Sequence, residues 1–332
     1  MKIGFYDTHS YDKDAFLKAN KQYKYEIEFM DFKLNEKTVN SAEGYDAICV
    51  FVNDVLNKKV LWRLSEMGVK LVLLRCSGYN NVDIEEAEKA GITIMRVPMY
   101  SPHAVAEHTV GLLLALVRKI PQAYIRTRGG NFSLEGLTGR TLFGRTVGIL
   151  GTGKIGKIVA EILSSFGMSV LLYDVLPDYN WALKNGFTYV NLKDLYIKSD
   201  FISLHCPLTS ETKHIINSGS LMLLKPNCVL INTSRGALID TDALVKALKK
   251  KRIAGAALDV YEEENNYFFK DWSEDIIGDD MLIRLLTFPN VLITSHQAFL
   301  TEDALAAIAN TTLENVEQYR QGGTLDNLVW IA

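Results

Sequence analysis

The sequence predicts an α/β protein built from two parallel-sheet domains, and three observations carry that reading. Short apolar runs alternate with segments of helical spacing along nearly the whole chain. A strand, glycine turn, helix and second strand occur together at residues 146–174, TVGILGTGKIGKIVAEILSSFGMSVLLYD, well inside the chain rather than at its start. A length of 332 residues suits about two domains of roughly 150 residues each.

The first hundred residues form an alternation of their own. Residues 3–6, 47–52, 71–75 and 92–96 read as strands, with helices at 12–20, 58–67 and 84–90 between them. Residues 77–83, SGYNNVD, follow the third strand, where parallel sheets place ligands; a polar turn ending in a helix cap explains them equally well. The stretch 97–102, VPMYSP, breaks the pattern and reads as an interdomain hinge. A long helix follows over 103–119, and the apolar face of its 111–117 segment is expected to be buried against another domain or subunit. His103, Glu107 and His108 lie near one another on it, but HAVAEH matches neither HExxH nor HxxEH, and no metal is expected. Residues 126–139, RTRGGNFSLEGLTG, read as a polar connector.

In the glycine unit each glycine has a separate task. Gly151 permits the tight turn, Gly153 lets the backbone approach a pyrophosphate, and Gly156 lets the helix pack closely on the strand. The helix N-terminus offers N–H groups and partial positive charge to phosphates. Asp174 closes the second strand, placed to accept from ribose hydroxyls. A 2′-phosphate there would meet a carboxylate, and Val175 supplies no cation, so NAD is expected over NADP.

Beyond Asp174, residues 189–190 read as a short edge strand. Strands at 201–204, 228–232, 253–258 and 291–294 each deliver polar residues at their C-terminal ends: HCPL, TSRG, DVYEEE and SHQ. In an open parallel sheet those ends share one edge. Arg235, Asp259, Glu264 and His296 are therefore expected to be neighbours. The acidic, aromatic stretch 265–290 is expected to be a lid or a subunit contact. A helix over 302–321, with Leu305, Ile308, Ala309, Leu313 and Val316 on one face, is expected to return to the first domain. The expected division is 1–100 plus 299–332, interrupted by 101–298.

Composition excludes several function classes. The net charge of −3 comes without a basic stripe, which argues against nucleic acid, and Lys249 to Arg252 reads as a solvated helix end. Cys49, Cys76, Cys206 and Cys228 are widely spaced with no CxxC, consistent with buried thiols in a reducing compartment. The apolar stretch 110–117 is far shorter than the roughly 20 residues needed to cross a bilayer. The chain opens directly on a strand without a leader, so a cytoplasmic protein with no membrane partner is expected.

The polar residues allow one chemistry in combination. Hydride exchange with a carbonyl needs the substrate anchored, the carbonyl polarised and a proton delivered. Arg235 suits the first two, since a guanidinium stays charged and grips a carboxylate with a fixed fork. His296 suits the third. Glu264 beside it would stabilise the imidazolium and raise its pKa. Taken singly, Arg235 is better explained as a helix cap or surface pair, Glu264 as part of a solvated acidic run and His296 as a buried structural histidine. Jointly, at successive strand ends of one sheet, they favour the chemistry.

At this point the chain resembles the D-2-hydroxyacid dehydrogenases, most closely their fermentative D-lactate branch. RCSGYNNVD, VPMYSPHAVAEH, RTRGGNFSLEGLTG, GILGTGKIG, ISLHCPLT, INTSRGALID, LDVYEEE and HQAFLT carry the likeness, in the family's order. The resemblance implies a Rossmann-like NAD-binding domain inserted into a flavodoxin-like substrate domain, with the active site in the cleft. It implies that Arg235 binds the substrate carboxylate, that His296 is the acid/base and that Glu264 orients it. Lys154, Ile155 and Asp174 would touch NAD, Cys206, Pro207 and Thr212 would line its adenosine side, and Thr233, Ser234 and Asp259 would hold the nicotinamide end with Arg235. Amides around Ser77 and Gly78 would take the substrate carboxylate, while Tyr100 and Phe299 shape the side-chain pocket. A homodimer or homotetramer and D stereochemistry are implied as well. Formate dehydrogenases carry glutamine where this chain has Glu264, and many hydroxypyruvate relatives a glycine soon after the histidine. Pyruvate is the expected substrate; alternatives are a larger 2-keto acid, such as phenylpyruvate or 2-ketoisocaproate, and a non-enzymatic NAD-sensing scaffold. The chain stops at Ala332 without an extended tail, which favours an enzyme.

Overall fold

A computed structural model describes residues 1–329 of the chain. The chain divides into two units, one formed by Met1–Ser101 and the chain from Leu300 onward, the other by Pro102–Phe299.

The first unit holds five parallel strands: β1 (Lys2–Phe5), β2 (Glu26–Phe29), β3 (Ala47–Val50), β4 (Leu71–Leu74) and β5 (Thr93–Arg96). Their order, β2-β1-β3-β4-β5, is that of flavodoxin-like sheets. The apolar runs of β3 and β4 are buried along their whole length, as central strands covered on both faces must be. Sequence reasoning overlooked β2. Its EIEF alternation has half its residues exposed, because an edge strand needs no continuous apolar run. The helix Glu302–Gln321 packs on the helix Ser10–Tyr23 and on β4, burying Ala304, Ile308, Ala309, Leu313 and Val316. Two polar ties fix it: the Tyr25 hydroxyl donates to Glu317 at 2.5 Å, and Asn315 Nδ2 donates to the carbonyl of Arg96 at 2.9 Å.

The second unit holds seven parallel strands: β6 (Thr146–Leu150), β7 (Ser169–Tyr173), β8 (Thr188–Tyr189), β9 (Phe201–Leu204), β10 (Val229–Asn232), β11 (Gly255–Leu258) and β12 (Val291–Ile293). Their order is β12-β11-β10-β9-β6-β7-β8. The chain winds outward from β6 through β7 to β8, then returns to the other side of β6 with β9. That reversal is the topological switch point of a Rossmann fold, and ligands bind beyond the strand ends there. One face of the sheet is covered by the helices Pro102–Val117 and Lys154–Ser165, with Ala106, Val110, Leu113, Val117, Val159 and Ala160 packed on Val147, Ile149 and Ile231. The apolar face of the long helix is thus buried within its own unit, since this sheet needs a cover on that side.

The stretch expected to be a polar connector is different in kind. The helix Ile120–Arg128 runs into it, and the loop beyond is tied back by Lys119 Nζ to the carbonyl of Gly136 at 2.7 Å and by the Arg140 amide to the carbonyl of Val117 at 3.0 Å. Along this ordered arm Ile125, Phe132, Leu134 and Phe143 are 70%, 76%, 81% and 78% exposed. Among the described residues no helix is long and apolar enough to cross a membrane.

A buried carboxylate makes the first unit sensitive to pH. Asp54 is fully buried, its oxygens accepting the Leu34 and Phe51 amides at 2.6 Å each. Burial pushes its pKa up to about 7, outweighing the downward pull of the Phe51 amide and of Arg75. The folded chain therefore holds a proton that the unfolded chain, with an ordinary carboxyl near 3.9, gives up. Stability from this group falls as pH rises from about 4 through 7. In Asp54→Asn, thermal melts at pH 5 and pH 8 should differ less than in the wild type. The variant should also be less stable by about 1–3 kcal/mol, because one buried amide loses its acceptor.

Candidate active site

β6 and β9 are neighbours, and the glycine turn lies where their ends diverge. Gly151 adopts φ 96°, and a Cβ there would stand 2.5 Å from the Cys206 amide nitrogen and 2.6 Å from the His205 carbonyl carbon. A Cβ on Gly156 would stand 2.0 Å from the Gly151 oxygen, so the helix Lys154–Ser165 starts hard against the turn. A Cβ on Gly153 would meet nothing within 4 Å. The turn therefore leaves open space over the helix N-terminus, where Lys154 and Ile155 form the first turn, and a pyrophosphate fits there.

Asp174, at the end of β7, is held by that same turn. Its Oδ2 accepts the Thr152 amide at 2.5 Å and the Thr152 hydroxyl at 3.0 Å; its Oδ1 accepts the Leu176 amide at 2.9 Å. Since the Thr152 proton is used, the Tyr189 hydroxyl, 2.7 Å away, donates to Thr152. Oδ1, with a single bond of its own, keeps a lone pair for a ribose hydroxyl, and the neighbouring Val175 is 80% exposed and uncharged. These residues fit NAD.

The loop after β9 is fixed from within. The Thr212 hydroxyl donates to the carbonyl of Pro207 at 2.6 Å and accepts the Thr209 amide at 2.8 Å, while the Ser234 hydroxyl donates to the carbonyl of Cys206 at 2.8 Å. Thr233, buried, shares a 2.8 Å hydrogen bond with Thr109 on the helix Pro102–Val117.

The three strands β10, β11 and β12 leave the sheet in step. Asn232 pairs with Leu258 and Leu258 with Ile293. The Asp259 amide donates to the carbonyl of Asn232, and the Thr294 amide to that of Leu258, both at 2.9 Å. Adjacent strands lie about 4.8 Å apart, so the turns bearing Arg235 and His296 are separated by about 10 Å of backbone. Arg235 opens a turn whose next residue, Gly236, lies against the backbone of Tyr261: a Cβ there would be 2.1 Å from the Tyr261 carbonyl oxygen. The Arg235 guanidinium donates from Nη1 to the carbonyl of Ser234 at 2.7 Å, and its own carbonyl accepts from Asn232 at 2.8 Å.

The acidic run Glu262, Glu263 and Glu264 divides into three environments. Glu262 pairs with His214 Nε2 at 2.5 Å, and Glu263 is exposed. Glu264 bonds His296 Nδ1 through Oε1 at 2.7 Å and accepts the Tyr261 amide through Oε2 at 2.9 Å. With both oxygens engaged, this carboxylate fixes the imidazole ring through Nδ1 and leaves Nε2 as the nitrogen turned away from it.

His296 sits in the left-handed region, φ 53°, where a non-glycine residue costs about 1–2 kcal/mol. Asp259 holds it there. The Asp259 carbonyl accepts the His296 amide at 2.7 Å, and its fully buried carboxylate accepts the Gln297 and Ala298 amides at 2.9 Å each. The Thr294 hydroxyl adds a donor at 2.5 Å, and His108 Nε2 lies 3.3 Å away. Burial alone would raise the Asp259 pKa, but bonds from His108, Thr294, Ala298 and Gln297 outweigh it and hold the carboxyl below its usual range.

Phe269 approaches the His296 ring at 5.9 Å between centroids. The stretch around it belongs to the second unit: Phe268 is buried there and the Tyr261 hydroxyl donates to Asp279 at 2.7 Å. Phe299, 8% exposed, closes that unit. Ser77, Gly78 and Tyr100 lie in the other unit, Ser77 and Gly78 just beyond β4 with the Ser77 carbonyl accepting from Arg96 at 2.8 Å. Sequence reasoning missed Thr152, Tyr189, Thr109 and Thr294, and it weighed His108 only as a metal ligand. Thr152 carried a usable signal, being the one hydroxyl inside the glycine turn. The others become neighbours only through the sheet.

Residues 110–298 match the family described as D-isomer specific 2-hydroxyacid dehydrogenase, NAD binding domain. The chain is 50% identical over 330 residues to a 2-hydroxyacid dehydrogenase homolog of Haemophilus influenzae, covering 99% of each. It is 48% identical over 327 residues to the D-lactate dehydrogenase of Escherichia coli, covering 98% of this chain and 99% of that one. The apo-structure of the Escherichia coli enzyme superposes with a TM-score of 0.91 over 99% of this chain and 100% of that chain. A structure of the pyruvate reductase of Chlamydomonas reinhardtii superposes at 0.93 with 40% identity, over 98% of each chain.

The Thr152 hydroxyl is expected to matter for cofactor binding alone. Thr152→Val removes one donor to Asp174 and the acceptor of Tyr189, a loss of about 1 kcal/mol. Fluorescence titration should show NADH binding roughly fivefold weaker, with turnover at saturating NADH unchanged.

Proposed function

Because this chain belongs to the D-isomer specific 2-hydroxyacid dehydrogenases, NAD-dependent enzymes, we propose that its reaction is the reversible, stereospecific reduction of pyruvate to D-lactate. The observation that carries the reading is the Glu264–His296 pair, 2.7 Å apart, on a turn two strands from Arg235. Relatives named for lactate and pyruvate, 40–48% identical across nearly the whole chain, support the choice of substrate.

NADH, when bound over the glycine turn, supplies the hydride. The rest falls to this chain. Arg235 grips the substrate carboxylate with its fork and draws electron density from the keto oxygen. His296, protonated, presents Nε2–H to that oxygen and gives its proton as the alkoxide develops. Glu264 keeps the donor form populated by accepting from Nδ1–H. In the reverse direction the neutral imidazole takes the proton back. Asp174 and Thr152 hold the adenosine ribose, and Cys206, Pro207 and Thr212 flank it. Thr233, Ser234 and Asp259 lie at the strand ends where the nicotinamide would sit. Ser77, Gly78, Tyr100 and Phe299 are the proposed substrate contacts on the basis of the family likeness.

The arm around Phe132 supports self-association. It is held in order by its own hydrogen bonds while presenting apolar side chains to solvent, which marks an interaction surface. A second copy of this chain is the proposed occupant, giving a homodimer or homotetramer. Light scattering of the purified protein should return at least twice the 37.2 kDa chain mass, and Phe132→Asp should shift it toward the monomer.

Following NADH absorbance with pyruvate and with bulkier 2-keto acids, then testing product chirality, decides the reaction. Pyruvate should give the highest kcat/KM and the product should be D-lactate; a clear preference for phenylpyruvate or 2-ketoisocaproate would replace the substrate, and no turnover with any would remove the reading. His296→Ala should lower kcat by about 10²–10⁴ while leaving NADH affinity within about twofold.

A further inference from the structure

His108 lies on the helix Pro102–Val117, in the second turn of the first element of its unit. Its Nε2 is 3.1 Å from Thr294 Oγ1 and 3.3 Å from Asp259 Oδ1. The protons in this corner can be assigned by counting. The Thr294 hydroxyl donates to Asp259 Oδ1 at 2.5 Å, so Thr294 offers only lone pairs to His108. A carboxylate offers lone pairs too. His108 must therefore carry its proton on Nε2 and donate into the space shared by the two oxygens.

The consequence runs to residue 296. Asp259 is fully buried, and its carboxylate faces the Gln297 and Ala298 amides, the Thr294 hydroxyl and His108. A buried carboxylate must be supplied with donors to stay in place. Of these four, the two amides belong to the turn being held. Thr294 and His108 are the donors that anchor the carboxylate from outside it. His108 is the one that ties the arrangement to a different element of the fold. The neighbouring Thr109 makes a similar contact beyond the end of β10, meeting Thr233 at 2.8 Å.

The geometry points to His108 as a positioning residue for His296: its Nε2–H locks Thr294 and Asp259 together, and Asp259 then holds the 296–298 turn in its left-handed conformation. This rests on the reading of His296 as proton donor. His108 touches neither substrate nor proton in the reaction. It sets the angle at which Nε2 of His296 meets the keto oxygen, and small misplacements of a reacting group are costly.

The test compares His108→Leu, which keeps bulk and removes the donor, with His108→Gln, whose Nε2 amide stands where the imidazole N–H was. With the best 2-keto acid, His108→Leu should lose about tenfold or more in kcat with NADH affinity and KM within about threefold, and His108→Gln should recover most of the turnover. Thr294→Val removes the same relay from its other side and carries the test if His108→Leu does not fold. It should show the same kcat-specific loss, and the double variant should be no worse than either single one. A second readout needs no substrate: the low-field proton resonance of the His296 Nδ1–H bonded to Glu264 should persist in the wild type and in His108→Gln and broaden away in His108→Leu. Wild-type turnover and an intact resonance in His108→Leu, equal losses in Leu and Gln, or additive losses with Thr294→Val would each overturn the assignment. Failure to reduce any keto acid would instead remove the reading of the reaction, leaving the resonance to judge His108.

Discussion

The carboxylate of Asp259 is the constraint from which the geometry at the C-terminal strand ends of the second unit follows. It sits at the end of β11 with no exposure to solvent. An ionised group in that position costs several kcal/mol unless its neighbours satisfy it. Here the satisfaction comes largely from the backbone of the next strand's turn, through the Gln297 and Ala298 amides. The carboxylate therefore does not merely tolerate its burial. Its need for donors pulls residues 296–298 into one conformation, including the unfavourable φ of His296. Glu264 then completes the ring's orientation from the other side. Two carboxylates, one fixing the backbone and one the imidazole, leave this histidine little freedom.

The shared register of β10, β11 and β12 makes this possible over long sequence distances. Arg235, Asp259 and His296 each leave the sheet within a few residues of mutually paired positions. A shift of one residue in either pairing would turn every side chain of a strand to the opposite face. The site is consequently as well defined as the packing beneath it. Leu230, Ile231, Ala256, Ala257 and Leu258 are all buried, so such a shift would force both faces of the sheet to repack.

Much of this was legible in the sequence, for identifiable reasons. The glycine turn could be read because its three glycines answer three local steric demands, and the structure places a backbone atom within 2.6 Å of the missing Cβ at two of them. The strand ends could be read because strands covered on both faces are continuous apolar runs, so the first polar residue marks where each one leaves the sheet. The losses were equally physical. β2 went unseen because an edge strand keeps only alternate residues apolar. The stretch 126–139 looked polar because its few apolar residues are outnumbered, while their exposure depends on how the arm is tied back. Glu262, Glu263 and Glu264 are chemically identical in the sequence, and only the fold gives one to His214 and another to His296. His108 drew attention for the wrong partner, since the hydroxyl and carboxylate it meets lie about 150 to 190 residues further along the chain.

The four cysteines are all buried. Burial pushes the thiol of Cys206 up to about 11 and those of Cys49 and Cys228 up to about 12. Because the thiolate is the form that attacks electrophiles, Cys49, Cys206 and Cys228 react slowly with maleimides and haloacetamides while the chain is folded. A fluorophore or spin label could be installed at one engineered surface cysteine without first stripping out those three, so distance measurements in solution can be made on a nearly unaltered chain.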